Sequence, residues 1–240
     1  FDHLRPMVYS KEANTLFVSY SNMLKTADGM TSLHKLLMLD GSTLALKGEV
    51  KDAYKGTAYG LTLDEKTQKI YVGGKDYINE IDAKKKSLLR TIALKDPQPA
   101  ITSVQNLAVD SDSNRAFVVV FDHDDRTGTH DGLYIFDLRN GKQLGYVHTG
   151  AGTNAVKYNP KYNELYVTNF TSGTISVVDA TKYTVIREFH MPVYPNQMVL
   201  SPDMDTLYVG IKEGFNRDWD PDVFVEGAKE RILRIDLKKS

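Results

Sequence analysis

The chain has no cysteine, which excludes disulfides, thiolate metal sites and thiol nucleophiles together. No apolar run approaches the roughly 18 residues that a membrane-spanning helix requires, so no membrane insertion is expected. Excess charge of either sign is also missing. Lys and Arg number 30 against 31 Asp and Glu, and that balance gives no global attraction to nucleic acid or anionic membranes. No segment sustains a helical period. Linear catalytic signatures are absent too: there is no Gly-x-Ser-x-Gly elbow, phosphate loop, His-Glu-x-x-His or dinucleotide fingerprint. The chain opens at Phe1 rather than Met, and the expectation is that a signal peptide or longer segment has been removed upstream.

What the sequence does contain is a repeat. An aliphatic residue or Ala, an aromatic and Val recur five times, at Leu16-Phe17-Val18, Ile70-Tyr71-Val72, Ala116-Phe117-Val118, Leu165-Tyr166-Val167 and Leu207-Tyr208-Val209. The spacings of 54, 46, 49 and 42 residues match one four-stranded blade. An apolar run ending in Asp follows each marker, at Asp40, Asp82, Asp137, Asp179 and Asp236. Because it recurs once per repeat, this Asp reads as a turn residue at the C–D corner. In the fourth repeat, Ala155–Tyr158, Leu165–Asn169, Thr174–Val178 and Thr184–Phe189 read as strands A to D. The predicted fold is an all-β propeller of four-stranded antiparallel blades, with 1–240 forming one domain of five repeats. The five aromatics are expected in equivalent packed positions. Only three residues follow Leu237, so the last blade should lack its outer strand.

Leu165-Tyr166-Val167-Thr168-Asn169, followed by Ser172-Gly173-Thr174-Ile175-Ser176-Val177-Val178-Asp179, resembles the repeat of the YVTN β-propeller family. The last two repeats, through Pro195-Asn196 and Leu207-Tyr208-Val209, are similar to its YncE-like branch of secreted bacterial proteins. The resemblance spans all five repeats, although only the fourth carries the full motif. It implies a seven-bladed propeller, of which these would be five blades, and a periplasmic or secreted location. It implies no settled activity.

The distance from each B-strand marker to the C-strand Asp is 12 and 14 residues in repeats two and four, but 24, 21 and 29 in repeats one, three and five. All the elaboration therefore falls on the face of the B–C loops and D–A connections, where a rigid scaffold usually carries function. The long loops are 19–34, 121–132 and 212–230. The second and third each carry a net charge of −3, while Lys84-Lys85-Lys86 lies on the opposite face.

Eleven residues before each marker stand Arg5, Tyr59, Gln105, Asn154 and Asn196, all polar. Period-two alternation puts them on the same strand face as the apolar positions two and four further along. They read as a polar ring at the channel mouth that, with Trp219, binds a ligand. The plainer reading is hydrogen bonding to unpaired backbone where strand A begins. Asp122, His123, Asp124 and Asp125, with His130 and Asp131, could hold a divalent metal; the plainer reading is a solvated acidic loop. Asp218-x-Asp220-x-Asp222 starts like a calcium loop but has Val223 and Lys229 where Gly and Glu are needed. Asn169-Phe170-Thr171 matches a glycosylation acceptor, yet reads as strand B and its turn.

The leading expectation is a non-catalytic scaffold that recognises a small molecule or macromolecule on the loop-rich face. The first alternative is a metal-dependent propeller enzyme of lactonase or lyase type using His123 and His130. The second is single-stranded nucleic-acid binding through stacking on Tyr59, Phe215 and Trp219, which the acidic loops disfavour. The sequence names no cofactor.

Overall fold

A computed structural model describes residues 2–26, 29–54, 59–101, 104–121, 128–191, 194–212 and 230–239. Nineteen strands among them build five antiparallel sheets, each a simple meander. The first blade comprises β1 (Asp2–Ser10), β2 (Thr15–Thr26), β3 (Gly29–Asp40) and β4 (Leu46–Val50). The second comprises β5 (Gly60–Asp64), β6 (Lys69–Gly73), β7 (Tyr77–Asp82) and β8 (Ser87–Ala93). The third comprises β9 (Val104–Asp110), β10 (Arg115–Val120), β11 (Gly132–Asp137) and β12 (Gln143–Val147). The fourth comprises β13 (Thr153–Asn159), β14 (Glu164–Asn169), β15 (Thr174–Asp179) and β16 (Thr184–His190). The fifth has three strands among the described residues: β17 (Pro195–Leu200), β18 (Thr206–Ile211) and β19 (Arg231–Asp236). A short 3-10 turn, Leu237–Lys239, follows β19. This is a β-propeller of five blades. Its chain forms two compact units, Phe1–Val118 with Ile135–Leu144 and Val119–Tyr134 with Gly145–Ser240, so the third blade contributes to both.

The corners explain why the repeat keeps its Asp. Asp40 Oδ1 accepts the backbone N–H groups of Ser42 and Thr43. Asp82 does the same for Lys84 and Lys85, and Asp179 for Thr181 and Lys182. Asp137 takes Arg139 N–H, and Asp236 takes Lys238 N–H. A side chain that copies a backbone turn acceptor in this way nucleates the corner locally. The residue after each Asp then donates its own N–H across to the A–B turn. These bonds run from Gly41 to the Asn14 carbonyl, Ala83 to Gln68, Leu138 to Asn114, Ala180 to Asn163 and Leu237 to Asp205, all at 2.8–3.0 Å. Asn14, Gln68, Asn114 and Asn163 hold left-handed backbone, with φ from 42° to 54°.

Packing runs from blade to blade. In the first unit, Phe17, Leu36 and Met38 of the first blade meet Leu61, Ile70, Val72 and Ile81 of the second. In the second unit, Ala155, Tyr166, Ile175 and Val177 meet Met198, Leu207, Val209 and Ile211. Strands β14 and β15 are buried on both faces and show continuous burial, whereas β16 is mostly exposed or intermediate.

Two expectations need correction. The segment 19–34 is not a loop: β2 and β3 continue through it as one long hairpin, paired from Thr15↔Asp40 to Thr26↔Gly29. Alternation through Ser19-Tyr20-Ser21-Asn22 and the Asp28-Gly29 dipeptide favour such a hairpin. The five aromatics are also not equivalent. Phe17, Tyr71, Phe117 and Tyr166 are at most 3% exposed, but Tyr208 is 36% exposed beside Val199 at 57%. Within each unit the aromatic of the earlier blade, Phe17 or Tyr166, packs against the blade that follows.

Asp137 offers a pH test of the corner. Arg139 grips it through two parallel bonds of 2.8 and 2.7 Å, and the Arg139 N–H adds a third contact. The guanidinium, then the backbone N–H, lower its pKa from 3.8 to about 2. A depressed folded pKa means the stabilisation is complete above the unfolded value and lost as pH falls toward the folded one. Chemical denaturation should therefore show stability declining between about pH 4 and pH 2, with a shallower decline in Asp137→Asn. Identical slopes in that window would refute this contribution.

Candidate functional site

The start of strand A is irregular in three blades. On β1 the register shifts between Leu4 and Met7, on β13 between Thr153 and Ala155, and on β17 between Pro195 and Met198. In each case one extra residue enters the inner strand, which bends the chain and re-aims a side chain. Arg5, Asn154 and Asn196 stand at these bulges. Strict alternation with the apolar positions of strand A therefore fails for them. Asn154 and Asn196 leave the packed face because the bulge removes them from its register.

In the second unit this geometry brings two of the expected site residues together. Asn154 Nδ2 donates to Asn196 Oδ1, joining successive blades at the start of their inner strands. Beneath them the fully buried Thr168 accepts the Ala155 N–H at 3.0 Å and donates to the Asn196 carbonyl at 2.9 Å. Thr168 thus satisfies the backbone at this one position, the Ala155 N–H and the Asn196 carbonyl. Both Asn side chains are half-buried. Their mutual bond leaves the Asn154 carbonyl oxygen as an acceptor and the Asn196 amino group as a donor.

Asn196 and Gln197 also border an open pocket of about 310 Å³, whose other polar walls are Lys212, Glu230 and Arg231, with Ile232 as an apolar wall. In the first unit, Tyr59 precedes β5 and Gln105 is the second residue of β9. Both are half-buried and engaged in interactions. Arg5 lies on β1, and its side chain is outside the described residues, as is Trp219.

The acidic loop of the third blade divides in two. Asp122, His123, Asp124 and Asp125 lie outside the described residues. Asp131 is 1% exposed and works as a tie within the second unit. Its Oδ2 accepts the Gly152 N–H at 2.5 Å, and its carbonyl accepts the Tyr146 hydroxyl at 2.8 Å. The same carbonyl lies 3.2 Å from His148 Nδ1. A carbonyl only accepts, so His148 carries its proton on Nδ1 there. His130 is half-buried, and its carbonyl accepts the Tyr134 hydroxyl at 3.2 Å. Among the described residues no three His, Asp or Glu side chains converge to hold a metal.

In the second unit further ties join the D–A connections on either side of the fourth blade to its B–C turn. Phe170 N–H donates to the Gly152 carbonyl at 2.7 Å, and Phe170 stacks on Tyr194 with centroids 4.8 Å apart. Asn169 is fully buried, and its Nδ2 bonds the Thr149 carbonyl, Thr174 and Ser176. A buried, engaged amide is no glycan acceptor in the folded chain. Sequence reasoning missed Thr168 and Ser176 as organising groups, although polar side chains ending apolar strands were the available signal.

The organising role of Thr168 is testable. Thr168→Val keeps the shape but leaves the Ala155 N–H and the Asn196 carbonyl without their buried partner. The expected cost is roughly 1–3 kcal/mol in urea unfolding. A change within error would show that the two strands do not depend on it.

No family model matches the chain. A curated relative, the protein YncE of Salmonella typhi, is 33% identical over 216 residues, covering 89% of this chain and 56% of the relative. The YncE protein of Escherichia coli K12 is 30% identical over 210 residues, covering 87% and 54%. Both are described as uncharacterized, and the chain spans about half the length of the curated relatives it matches. Among solved structures, a chain of the Kuenenia stuttgartiensis hydrazine synthase superposes with a TM-score of 0.63 at 17% identity. It covers 96% of this chain and 65% of its own, a likeness of fold alone.

Proposed function

Taking this chain as a YncE-like β-propeller, we propose that it is a non-catalytic recognition scaffold of the extracytoplasmic space. Its ligand binds at the end of the blades that carries the B–C loops and D–A connections. The observation that supports this best is the bonded pair Asn154 and Asn196, with its leftover acceptor and donor, of which Asn196 borders an open pocket. A donor and an acceptor side by side suit a carboxamide, a carboxylic acid or a backbone amide, each of which presents the opposite pair. The pair stands on strands fixed by blade packing, so little conformational freedom is lost when a ligand binds. Lys212 and Arg231 add positive charge against Glu230, which suits a ligand with an acidic group. The location outside the cytoplasm rests on the resemblance of the repeat.

The test begins with a pull-down on the chain, followed by affinity measurement for the captured partner. Asn154→Ala and Asn196→Ala should each weaken binding about tenfold, the loss of one well-made polar contact at roughly 1.4 kcal/mol. Neutralising Lys84, Lys85 and Lys86 should leave the affinity unchanged. Folded Asn variants that bind normally, with loss in the Lys variant, would move the site to the opposite end. Fractionation of the source cells should find the protein in the periplasm or medium, and a cytoplasmic signal would overturn the location.

A further inference from the structure

We propose that the pocket of the fifth blade binds the C-terminal residue of a peptide, taking its carboxylate, the carbonyl before it and an aliphatic side chain at three separate places. This rests on the reading of Asn154 and Asn196 as a recognition pair and names the ligand class of that site.

The pocket owes its room to Gly210. Stacking the repeats by their B-strand markers puts Gly210 of β18 where Thr168 stands in β14. Thr168 is fully buried and fills its place with two hydrogen bonds. Gly210 brings no side chain to the equivalent place, and it lines the open volume of about 310 Å³. A glycine inside a strand marks a site where a ligand or another backbone comes close. The backbone itself does not demand glycine here. Gly210 is not among the residues with positive φ, and a Cβ added to it would meet only the Gln197 carbonyl, at 3.6 Å. The volume lies at the low end of those that take small ligands, so the occupant is one or two residues long.

Three kinds of group surround that space. Pro195 pairs with Ile211, and Ile211 with Arg231, so Asn196, Lys212 and Arg231 stand at the same end of neighbouring strands. With strands about 4.8 Å apart the row is about 10 Å wide, roughly three residues of extended peptide. Asn196 Oδ1 already accepts Asn154 Nδ2, which leaves Asn196 Nδ2 to donate to a carbonyl. The Tyr194 carbonyl accepts the Lys212 N–H at 3.1 Å and fixes the backbone there. Lys212 and Arg231 both take part in interactions, so a ligand anion joins an existing set. The third group is apolar: Ile232 is 76% exposed, the most of any large hydrophobic among the described residues.

Formal charge decides which anion fits. Lys212 and Arg231 against Glu230 leave one net positive charge in the wall. That balances a carboxylate, whereas a phosphate dianion would bring negative charge in excess beside Glu230. A guanidinium also takes a carboxylate through two parallel bonds. A simple carboxylic acid would use the cations but neither Asn196 nor Ile232. A peptide terminus uses all three, with its last carbonyl on Asn196 Nδ2, its carboxylate on Lys212 and Arg231, and its last side chain over Ile232.

The experiment titrates the whole chain calorimetrically with N-acetyl-alanyl-leucine and with the C-terminal amide of the same peptide. The acid should bind at least tenfold more tightly than the amide, and inorganic phosphate should not displace it. Gly210→Val, which fills the pocket from a strand position that tolerates a side chain, should abolish binding while unfolding stays cooperative. Arg231→Gln should bring acid and amide level. The same two residues at the tail of a folded carrier protein distinguish the sources: equal affinity assigns the site to protein tails, and a loss there to free peptides. Equal binding of acid and amide, displacement by phosphate, or no saturable binding of the acid would overturn the proposal. Each of these leaves the recognition pair standing as long as Asn196→Ala still weakens the captured partner, whereas an Asn196→Ala chain that binds its partner normally removes the pair itself. If Gly210→Val does not fold, the acid-to-amide ratio in the unaltered chain still decides.

Discussion

A carboxylate at the end of each strand C accepts backbone N–H from the residues that follow it, and the residue immediately after it reaches across to the A–B turn. The latch recurs in all five blades with bonds of 2.8–3.0 Å, whatever else the blades do. Its logic is local. The Asp bonds to residues two or three positions on, so a corner can form before any neighbouring blade is in place. The A–B turns then adopt left-handed backbone at non-glycine residues, a cost of about 1 kcal/mol each that these bonds offset. Strands B and C are thereby held in register by hydrogen bonds at one end, and their apolar side chains are aligned to meet the next blade.

From that alignment follows the way stability is distributed. Within each unit one blade lays an apolar face on the next, the first on the second and the fourth on the fifth. An aromatic at the same repeat position is fully buried in the fourth blade and exposed in the fifth, although the sequence motif around it is the same. Repeat arithmetic could locate Tyr208, and it did. It could not reveal exposure, because burial belongs to the neighbour rather than to the residue. Strand positions were legible for a related reason. Strands β13 to β16 lie within two residues of where apolar runs and turn residues put them, since both signals are local. The long first hairpin was misread because distance between markers was counted as loop, when alternation inside it already argued for strand.

The shared repeat position of Asn154 and Asn196 was legible in the sequence, and their orientation was not. Stacking the repeats picked out Asn154 and Asn196, which the structure joins, but assumed that period two runs unbroken through the start of strand A. A bulge is invisible to that count, because it adds one residue to one strand without changing either motif. Asp131 shows the reverse error. An acidic residue beside His130 reads as a metal ligand by composition, yet its carboxylate is occupied by the Gly152 N–H and its carbonyl by Tyr146 and His148. Chemistry available on paper was already used in holding one connection to the next.

The two ends of the blades are therefore stabilised by different kinds of bond. At the corner end the latch is made of main-chain groups, plus one Asp that every repeat keeps. At the other end, in the second unit, the ties are side chains particular to their blade: Asp131 to Gly152, Asn169 to Thr149, Phe170 on Tyr194, Asn154 to Asn196. A main-chain latch constrains loop length, because the turn must bring the same atoms to the same place. Side-chain ties carry no such constraint, since a longer loop can find a new partner while the strands stay fixed from the far corner. This explains why the repeats vary by seventeen residues between the B marker and the C-strand Asp, from 12 to 29, while the corners stay short. Function placed at the side-chain end can change without loosening the fold, because the strands beneath it are fixed from the far corner.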